Sequence, residues 1–326
     1  MEQLQAKIYT SGDELPTGLM DEDFFHSPQF FVICQQTPRH RPYLVTLQDQ
    51  HGHVLSQMLA VVRYRSSWFP PYLYMHCRIM GEGAYAPDAD RTTCFATMLQ
   101  TITSRLGPRM LYMEMSHLSQ KMFGYSQLRD QRYFPVRWMS IHNSLHSRTP
   151  EARIGPKPLR RINNAYERGI VTDEVHDDAD FKEFYKLLRQ HNWLKPKRYI
   201  PAEKFFSQFL ESPQHGRLFL TRYRDHVVGC SFVVYSHGQA YLWHAAYRRK
   251  SYVWLHPREL TIWHAIKDSY ARGCEHIFFM DVGLPFRKNA FREFILRFGG
   301  KPVSTYRWFR CSIKWINSLL TWIYRD

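Results

Sequence analysis

The sequence predicts an α/β (α+β) protein of two domains, each a mixed, mostly antiparallel sheet flanked by helices. Its 326 residues are 44% hydrophobic and 16% aromatic, which is enough for two packed cores. Both halves show the same order of predicted elements: a helical start, several strands, a helix, a short strand, another helical piece and a last strand. Residues 146–156 hold turn formers and few large apolar side chains. We therefore expect domains at 1–150 and 151–326.

The first half contains a predicted helix that begins at Ser27 and Pro28, an N-cap residue followed by a proline at the first helical position. Alternating residues on either side of the turn at 50–53 predict a hairpin. The glycine-rich loop Gly81-Glu82-Gly83 is the place where a donor site of this domain would lie. We also expect strands at 41–48, 54–65, 72–80, 109–115 and 137–145 and a helix at 90–105.

The second half begins with a basic helix at 157–168 that is followed by Gly169. Three strands in quick succession then predict an antiparallel meander. The expected elements are strands at 170–175, 217–223, 227–235, 239–247 and 302–309 and helices at 178–193, 201–210 and 312–324.

Residues 251–300 form the most clearly punctuated stretch of the chain. Pro257 is placed for a first helical turn, and apolar residues at steps of three and four follow it up to Gly273, where a helix end favours positive φ. Residues 276–281 predict a short buried strand that ends on Asp281. Three phenylalanines at helical spacing then lead to Gly299-Gly300. The stretch therefore predicts a helix, a strand and a second helix.

The charge of the chain indicates the chemistry of its partners. A formal net charge of +15 and a pI near 9.6 favour phosphate-rich partners such as nucleic acid, nucleotide-linked substrates, coenzymes or anionic lipid. No window is long and apolar enough to span a membrane, and residues 1–7 lack the apolar core of a secretory signal. The six cysteines are dispersed, without a C-x-x-C pair, which predicts reduced thiols in the cytoplasm and no metal site.

Several strings of the second half carry a specific resemblance. They are residues 160–169 (R-R-I-N-N-A-Y-E-R-G), 217–220 with 227–234 (R-L-F-L and V-V-G-C-S-F-V-V), 256–266 (H-P-R-E-L-T-I-W-H-A-I) and 294–300 (F-I-L-R-F-G-G). In that order they resemble the FemAB-type branch of the GNAT N-acyltransferases, proteins with two GNAT-like domains in tandem that transfer aminoacyl groups to peptidoglycan precursors. The resemblance implies a cytoplasmic enzyme, two tandem GNAT-like domains and acyl transfer to an amine.

Two positions depart from the family pattern. Arg258 stands where the family has serine, and Ile295 stands where the family has lysine. A lysine there could contact the phosphates of a tRNA-borne donor or stabilise the charge that develops during acyl transfer, and isoleucine can do neither. The glycine-rich pyrophosphate loop of ordinary GNAT proteins is also missing, because residues 247–256 contain no glycine. These departures weaken the expectation of an aminoacyl-tRNA donor more than they weaken the expectation of the fold.

Two residues are the candidate catalysts. His244 lies on the third meander strand, where the resemblance places the acceptor pocket, and an imidazole takes up a proton near neutral pH. Asp281 ends the strand before the next loop, a usual place for a functional carboxylate. The alternatives are a structural histidine in a polar network and a turn-capping aspartate.

Cationic and aromatic residues supply the binding candidates. For the donor they are Arg248, Arg249, Lys250 and Arg258, which surround the expected position of its phosphates, and Arg297, which is placed to replace part of the function of the missing lysine. For the acceptor they are Lys157, Arg160, Arg161, Tyr241 and Trp243. The alternatives are a solvated basic surface for the cations and core packing for the two aromatic residues.

The leading functional hypothesis is transfer of an aminoacyl or acyl group to an amine of a cell-envelope precursor, with the donor in the second domain. The co-substrate would be aminoacyl-tRNA or an acyl thioester of CoA or a carrier protein, with no tightly bound cofactor. The acceptor would be nucleotide- or lipid-linked. An alternative is thioester-dependent acylation of an amino sugar or amino-acid lipid. An alternative of another class is a non-catalytic protein that binds nucleic acid or envelope precursors.

The last predicted helix, 312–324, is apolar with flanking basic residues and is too short to span a bilayer. Two placements are open for it. It either packs on the second domain or lies on the inner face of a membrane, as a peripheral contact.

Overall fold

The computed structural model describes residues 5–67, 71–192, 199–248, 250–280 and 282–325. In chain order its first elements are β1 (Gln5–Tyr9), α1 (Pro28–Gln36), β2 (His40–Gln48), β3 (Val54–Ser67), β4 (Tyr72–Met80), β5 (Ala84–Tyr85), α2 (Arg91–Leu106), β6 (Tyr112–Ser116), α3 (Tyr125–Asp130) and β7 (Phe134–Ser144). They are followed by α4 (Pro150–Arg153), α5 (Pro156–Glu167), β8 (Ile170–Glu174), α6 (Asp178–Asn192), α7 (Glu203–Ser207), β9 (Gly216–Tyr223), β10 (His226–Ser236), β11 (Gln239–Tyr247), α8 (Pro257–Ala271), β12 (His276–Phe279), α9 (Ala290–Leu296), β13 (Lys301–Cys311) and α10 (Lys314–Ile323).

The chain divides into two compact units. Unit 1 comprises Met1–Trp138 with Ser304–Asp326, and unit 2 comprises Met139–Val303. These bounds differ from the predicted domains, 1–150 and 151–326, because the end of the chain belongs to unit 1. Trp308 on β13 is fully buried there against the apolar residues of α2 and β6. The predicted linker at 146–156 instead contains α4 and lies inside unit 2.

The two units share one strand topology. In unit 1 the order is β1-β2-β3-β4-β6 followed by β13, and in unit 2 it is β8-β9-β10-β11-β12 followed by β7. Each pair is antiparallel except β4 with β6 and β11 with β12, which are parallel. An antiparallel meander that leads through a helix into one parallel strand is therefore repeated, which confirms the predicted mixed sheets.

Helix α8 illustrates how local sequence builds unit 2. Pro257 occupies its first turn, Gly273 follows its end at φ 73°, and its apolar face, including Leu260 and Trp263, is buried in the core. Gly229 on β10 allows the helix to lie close to the sheet, because a Cβ there would be 2.0 Å from Thr261 Oγ1. The core of unit 2 thereby fixes α8 against the strands that precede it.

Candidate functional site

Strands β11 and β12 separate part-way along their length. Their parallel pairing runs from Gln239 opposite His276 to Leu242 opposite Phe279, and Met280 N donates to Leu242 O at 3.3 Å. Strand β11 continues to Tyr247, whereas β12 ends at Phe279. Among the described residues no strand pairs with this edge of 243–247. We call the space beside that edge the β11–β12 fork.

The corresponding strands of unit 1 do not separate. Strands β4 and β6 remain paired to their last residues, Met80 and Ser116, and Gly81 N donates to Ser116 O at 2.8 Å. In the described part of the chain, therefore, the fork belongs to unit 2 and has no counterpart between β4 and β6.

The glycine-rich loop of unit 1 is filled by protein atoms. Both glycines have positive φ, and a Cβ would lie 2.9 Å from His26 Nε2 at Gly81 and 2.7 Å from Gln57 O at Gly83. The buried carboxylate of Glu82 accepts hydrogen bonds from the backbone N–H and the hydroxyl of Ser119, and it also pairs with Arg91. A buried carboxylate disfavours a phosphate, so the expected donor loop of unit 1 is a packing feature.

A β-bulge on β11 sets the direction of two predicted site residues. Phe232 of β10 faces His244, but the next residue, Val233, faces Leu242, so Trp243 is the extra residue. Trp243 lies 5.7 Å from the ring of Phe205. His244 lies 6.4 Å from the Phe232 ring, which stacks on it, and is 5% exposed. The two predicted side chains are thus buried in a cluster of aromatic rings.

Tyr241 lies at the edge of the paired region, apart from that cluster. Its ring stacks on Phe278 of β12 at 5.3 Å, and Phe278 in turn lies 5.5 Å from His142 of β7. Burial lowers the pKa of His142, and His276 and Lys301 lower it further. The three half-buried rings form a row across adjacent strands, beginning one residue before the fork.

The backbone of β11 faces the fork at Ala245 and Tyr247. Arg248 N donates to Val228 O on β10 at 2.9 Å. Because the backbone N–H and C=O groups of successive residues point to alternate edges of a strand, those of Ala245 and Tyr247 point to the edge opposite β10. His191, on α6, lies at that edge with its Nδ1 2.8 Å from Tyr247 O and 3.3 Å from Tyr247 N. An imidazole therefore lies at the outer end of the fork.

The sequence did not single out His191, because nothing in α6 indicates which strand its end will meet. The shorter contact favours the tautomer in which Nδ1–H donates to Tyr247 O. In that neutral form Nε2 carries a lone pair. His191 is therefore a candidate proton acceptor.

The loop from β11 to α8 adopts conformations usually reserved for glycine. Tyr252 and His256 have φ of 60° and 50°, and non-glycine residues in this region often mark functional loops. The loop that lacks the expected glycines thus contains two residues with left-handed backbone, of which His256 directly precedes α8.

The predicted donor cations differ in their surroundings. Arg248 donates from Nε to Val227 O at 2.7 Å, while Lys250 and Arg297 are exposed. Arg249 and Asp281 lie outside the described residues. Of the cations described in this loop, Lys250 and Arg248 therefore have exposed side chains close to the fork.

Arg258 is held by aromatic rings. Its guanidinium carbon lies 3.6 Å from the centroid of Phe294, 5.6 Å from that of Tyr247 and 5.9 Å from that of Phe291. Its Nη2 also donates to Ala290 O at 3.3 Å. Arg258 therefore links α8 to α9, which is a packing role at a position predicted to bind the donor.

Ile295 is fully buried in the core of unit 2. The position at which the resemblance implies a lysine therefore faces apolar residues. The side chain at this position stabilises the domain and is not directed to a ligand.

An aromatic and cationic surface lies next to the loop. Trp254 is 52% exposed, with the Tyr223 ring at 5.5 Å and the Arg168 guanidinium at 5.4 Å. Tyr252 lies 6.0 Å from Tyr223, and Arg224 lies 5.2 Å from the same ring. We call these five residues the Trp254 platform.

The predicted acceptor cations share one side of α5. Lys157, Arg160 and Arg161 are exposed, whereas Ile162 and Ala165 are buried in the core of unit 2. The helix therefore presents a basic surface to solvent.

Comparison with known proteins matches residues 157–288 to a family model described as an acetyltransferase (GNAT) domain. The match covers less than half of the chain, and we call residues 157–288 the GNAT domain. The fork, the bulge and the α8 loop all lie within this GNAT domain. Among curated sequences none matches the chain.

Solved structures extend the likeness to both units. The crystal structure of FemX has a TM-score of 0.65 and 8% identity, covering 97% of this chain and 100% of that one. A tandem GNAT protein from the clavulanic acid biosynthesis pathway has a TM-score of 0.54 and 9% identity, covering 95% and 99%. The C-terminal domain of a putative lysylphosphatidylglycerol synthetase from Agrobacterium fabrum has a TM-score of 0.54 and 8% identity, covering 80% and 85%. These likenesses confirm the predicted fold of two tandem GNAT-like units, and the family match of residues 157–288 supports the predicted acyltransferase class.

Proposed function

We propose that the GNAT domain holds an acyl donor in the β11–β12 fork and transfers its acyl group to an amine of a cell-envelope precursor. The main observation behind the proposal is that β11 and β12 separate after Leu242 and Met280. The equivalent strands of unit 1, β4 and β6, stay paired to their last residues. Among the described residues, β11 therefore offers an open edge at a position where the equivalent strands β4 and β6 stay paired.

The Ala245 N–H is the proposed group that polarises the donor carbonyl. It points to the fork edge, and a fixed backbone donor stabilises the oxyanion that forms as the amine attacks. The nitrogen–carbon bond forms, and the bond from carbon to the donor sulfur or oxygen breaks. The amine proton passes to a base and then to the leaving group.

His191 is the proposed base. It lies at the fork with its Nδ1 engaged by Tyr247 O, so its Nε2 accepts the amine proton. His244 remains the rival from the sequence, although it is buried beside Phe206 and Phe232. Asp281 is retained as the second catalytic candidate that the sequence predicts.

The Trp254 platform is proposed to bind the nucleotide part of the donor. Exposed aromatic rings stack on bases, and Arg168 and Arg224 supply charge for phosphates. Arg248 and Lys250 lie on the connecting loop, and Arg249 is retained as a donor-binding candidate that the sequence predicts. CoA and the 3′ end of a tRNA both carry an adenosine, so both candidate donors have the chemistry that this surface recognises.

The buried Ile295 favours the thioester among these donors. A lysine is absent at the position where the resemblance implies one for a tRNA-borne donor, and the apolar surroundings leave no room for charge there. The second candidate, acylation of an amino sugar or amino-acid lipid from acyl-CoA, rests on this observation.

The proposed acceptor is nucleotide- or lipid-linked. The basic side of α5, with Lys157, Arg160 and Arg161, suits its phosphates, and Tyr241 suits a ring or sugar at the fork. The name of the lysylphosphatidylglycerol synthetase relative gives independent support to a lipid.

Thermal-shift measurements at several salt concentrations test the proposal. The ligands are aminoacyl-tRNA, acyl-CoA thioesters and a uridine-diphosphate-linked muropeptide. A saturable shift with acyl-CoA together with transfer to an amine is expected. Stabilisation by acyl-CoA alone removes the tRNA donor, stabilisation without turnover supports a binding protein, and no stabilisation contradicts the proposal.

A further inference from the structure

Helix α10 is attached to unit 1 by a polar side chain. Asn317 is its buried residue, with Oδ1 accepting from Cys311 N at 2.8 Å and Nδ2 donating to Arg132 O at 2.9 Å. Directly after the helix, Tyr324 stacks on Phe134 at 5.7 Å. The expected packing of this helix on the second domain is therefore wrong, because these contacts lie in unit 1.

The opposite side of α10 is apolar and open to solvent. Trp315 is 70% exposed and Trp322 is 67% exposed, with Leu319 and Ile323 about half exposed. Positions 315, 319, 322 and 323 share one face of a helix, and Asn317 lies on the other. We call these four residues the α10 outer face. Large apolar side chains exposed together indicate an interaction surface.

The charges along the last strand and α10 are mainly positive. Residues 301–326 contain five lysines and arginines and one acidic residue, Asp326. Lys314 and Arg325 are exposed at the two ends of the helix, and Arg132 is exposed beside Asn317. A second copy of the chain would bring the same positive charges against this face. An anionic surface complements it.

We propose that α10 binds the surface of an anionic lipid bilayer, with the α10 outer face inserted at the level of the headgroups. Tryptophan favours that interface, and lysine and arginine at the ends of the helix attract the acidic headgroups. Among the described residues, no helix is long and apolar enough to cross a bilayer. The helix therefore lies on the membrane. This inference goes beyond the proposed transferase activity and does not depend on it.

Co-sedimentation with vesicles tests the inference on the full chain. Vesicles of equal parts phosphatidylglycerol and phosphatidylcholine are compared with phosphatidylcholine alone. The double variant Trp315→Ser/Trp322→Ser removes the exposed rings without touching the Asn317 anchor. The matched control, Met122→Ser/Phe286→Ser, removes two other exposed apolar side chains.

We expect the wild type and the control to sediment with the anionic vesicles and a blue shift of tryptophan emission on binding. The tryptophan variant should lose roughly 10-fold or more in partitioning, and added salt should weaken binding by the wild type. Failure of the wild type to bind anionic vesicles overturns the inference. Equal binding by both variants also overturns it. A dimer that the tryptophan variant abolishes, without vesicle binding, assigns the face to a second copy.

Discussion

The backbone N–H of Met280 bonds to the carbonyl oxygen of Leu242, and in the described part of the chain this is the last backbone hydrogen bond between β11 and β12. Beyond it, β11 runs on to Tyr247 with one edge facing the fork. The candidate chemistry of the GNAT domain follows from this point of separation, because it exposes the backbone beside His191.

Replacement of His191 by alanine should lower kcat by roughly 10²- to 10⁴-fold, the usual contribution of a positioned base. The limb of the pH–rate profile that reports a histidine should also be lost. His237→Asn, on the exposed turn after β10, is the control and should change neither quantity. An unchanged profile in His191→Ala together with a lost limb in His244→Asn would transfer the role to His244.

Replacement of Arg258 by glutamine should lower the free energy of unfolding by about 1 kcal/mol, because its guanidinium contacts Phe294 and two further rings. Urea unfolding measures the change. Arg297→Gln, at an exposed position, should stay within about 0.5 kcal/mol of the wild type. Reduced donor affinity with unchanged stability in Arg258→Gln would return this residue to the donor site.

Replacement of Trp254 by alanine should weaken binding of CoA by roughly 5- to 100-fold, the equivalent of about 1–3 kcal/mol for a stacked base. Isothermal titration measures the affinity. The control variant is Trp315→Ala, which removes an exposed tryptophan of unit 1. Equal affinities for the two variants would show that the platform does not bind the nucleotide.

Two buried histidines of unit 1 should make it sensitive to acid. The pKa of His40 is lowered to about 2 and that of His76 to about 3, first by burial and then by the charge of Arg63, which faces both in the sheet. For His40 the next contribution is His76, and for His76 it is Arg65 and Arg78. Both imidazoles are therefore neutral in the folded unit near neutral pH.

The unfolded chain binds protons on both histidines below pH 6.5, whereas the folded unit does not. This contribution to stability is therefore fully present above pH 6.5 and is lost progressively as the pH drops toward 3, because protons bind to the unfolded histidines first. The variant His40→Gln/His76→Gln should show a shallower dependence in denaturant unfolding. The same slope in the variant and the wild type would contradict this assignment.

Local pattern predicted most elements with their ends. Pro257 and Gly273 mark α8 because a proline and a left-handed glycine act within a turn of where they stand. Ser27 caps α1 through its hydroxyl, which accepts from Phe30 N at 3.1 Å. The repeated order of elements also predicted the two similar sheets.

The local sequence pattern could not predict contacts between distant segments. The place where β12 stops pairing with β11 depends on the whole sheet, and His191 reaches Tyr247 across 56 positions of sequence. Arg258 was predicted to bind phosphate. Its contacts with the rings of α9 could not be predicted, because its neighbours in sequence do not indicate that α9 packs beside it. The outward direction of α10 depends on Asn317, whose partners lie on two other segments.

Hydrogen exchange followed by mass spectrometry, with and without a saturating donor, tests the central claim that the donor lies in the β11–β12 fork. Acetyl-CoA, a long-chain acyl-CoA and aminoacyl-tRNA are the donors to compare, and the peptide covering Ala245 is the one to follow. A bound donor should slow exchange at 243–247 and leave 76–83 of unit 1 unchanged. Slowed exchange at 76–83, or binding that leaves 243–247 unprotected, would contradict the account.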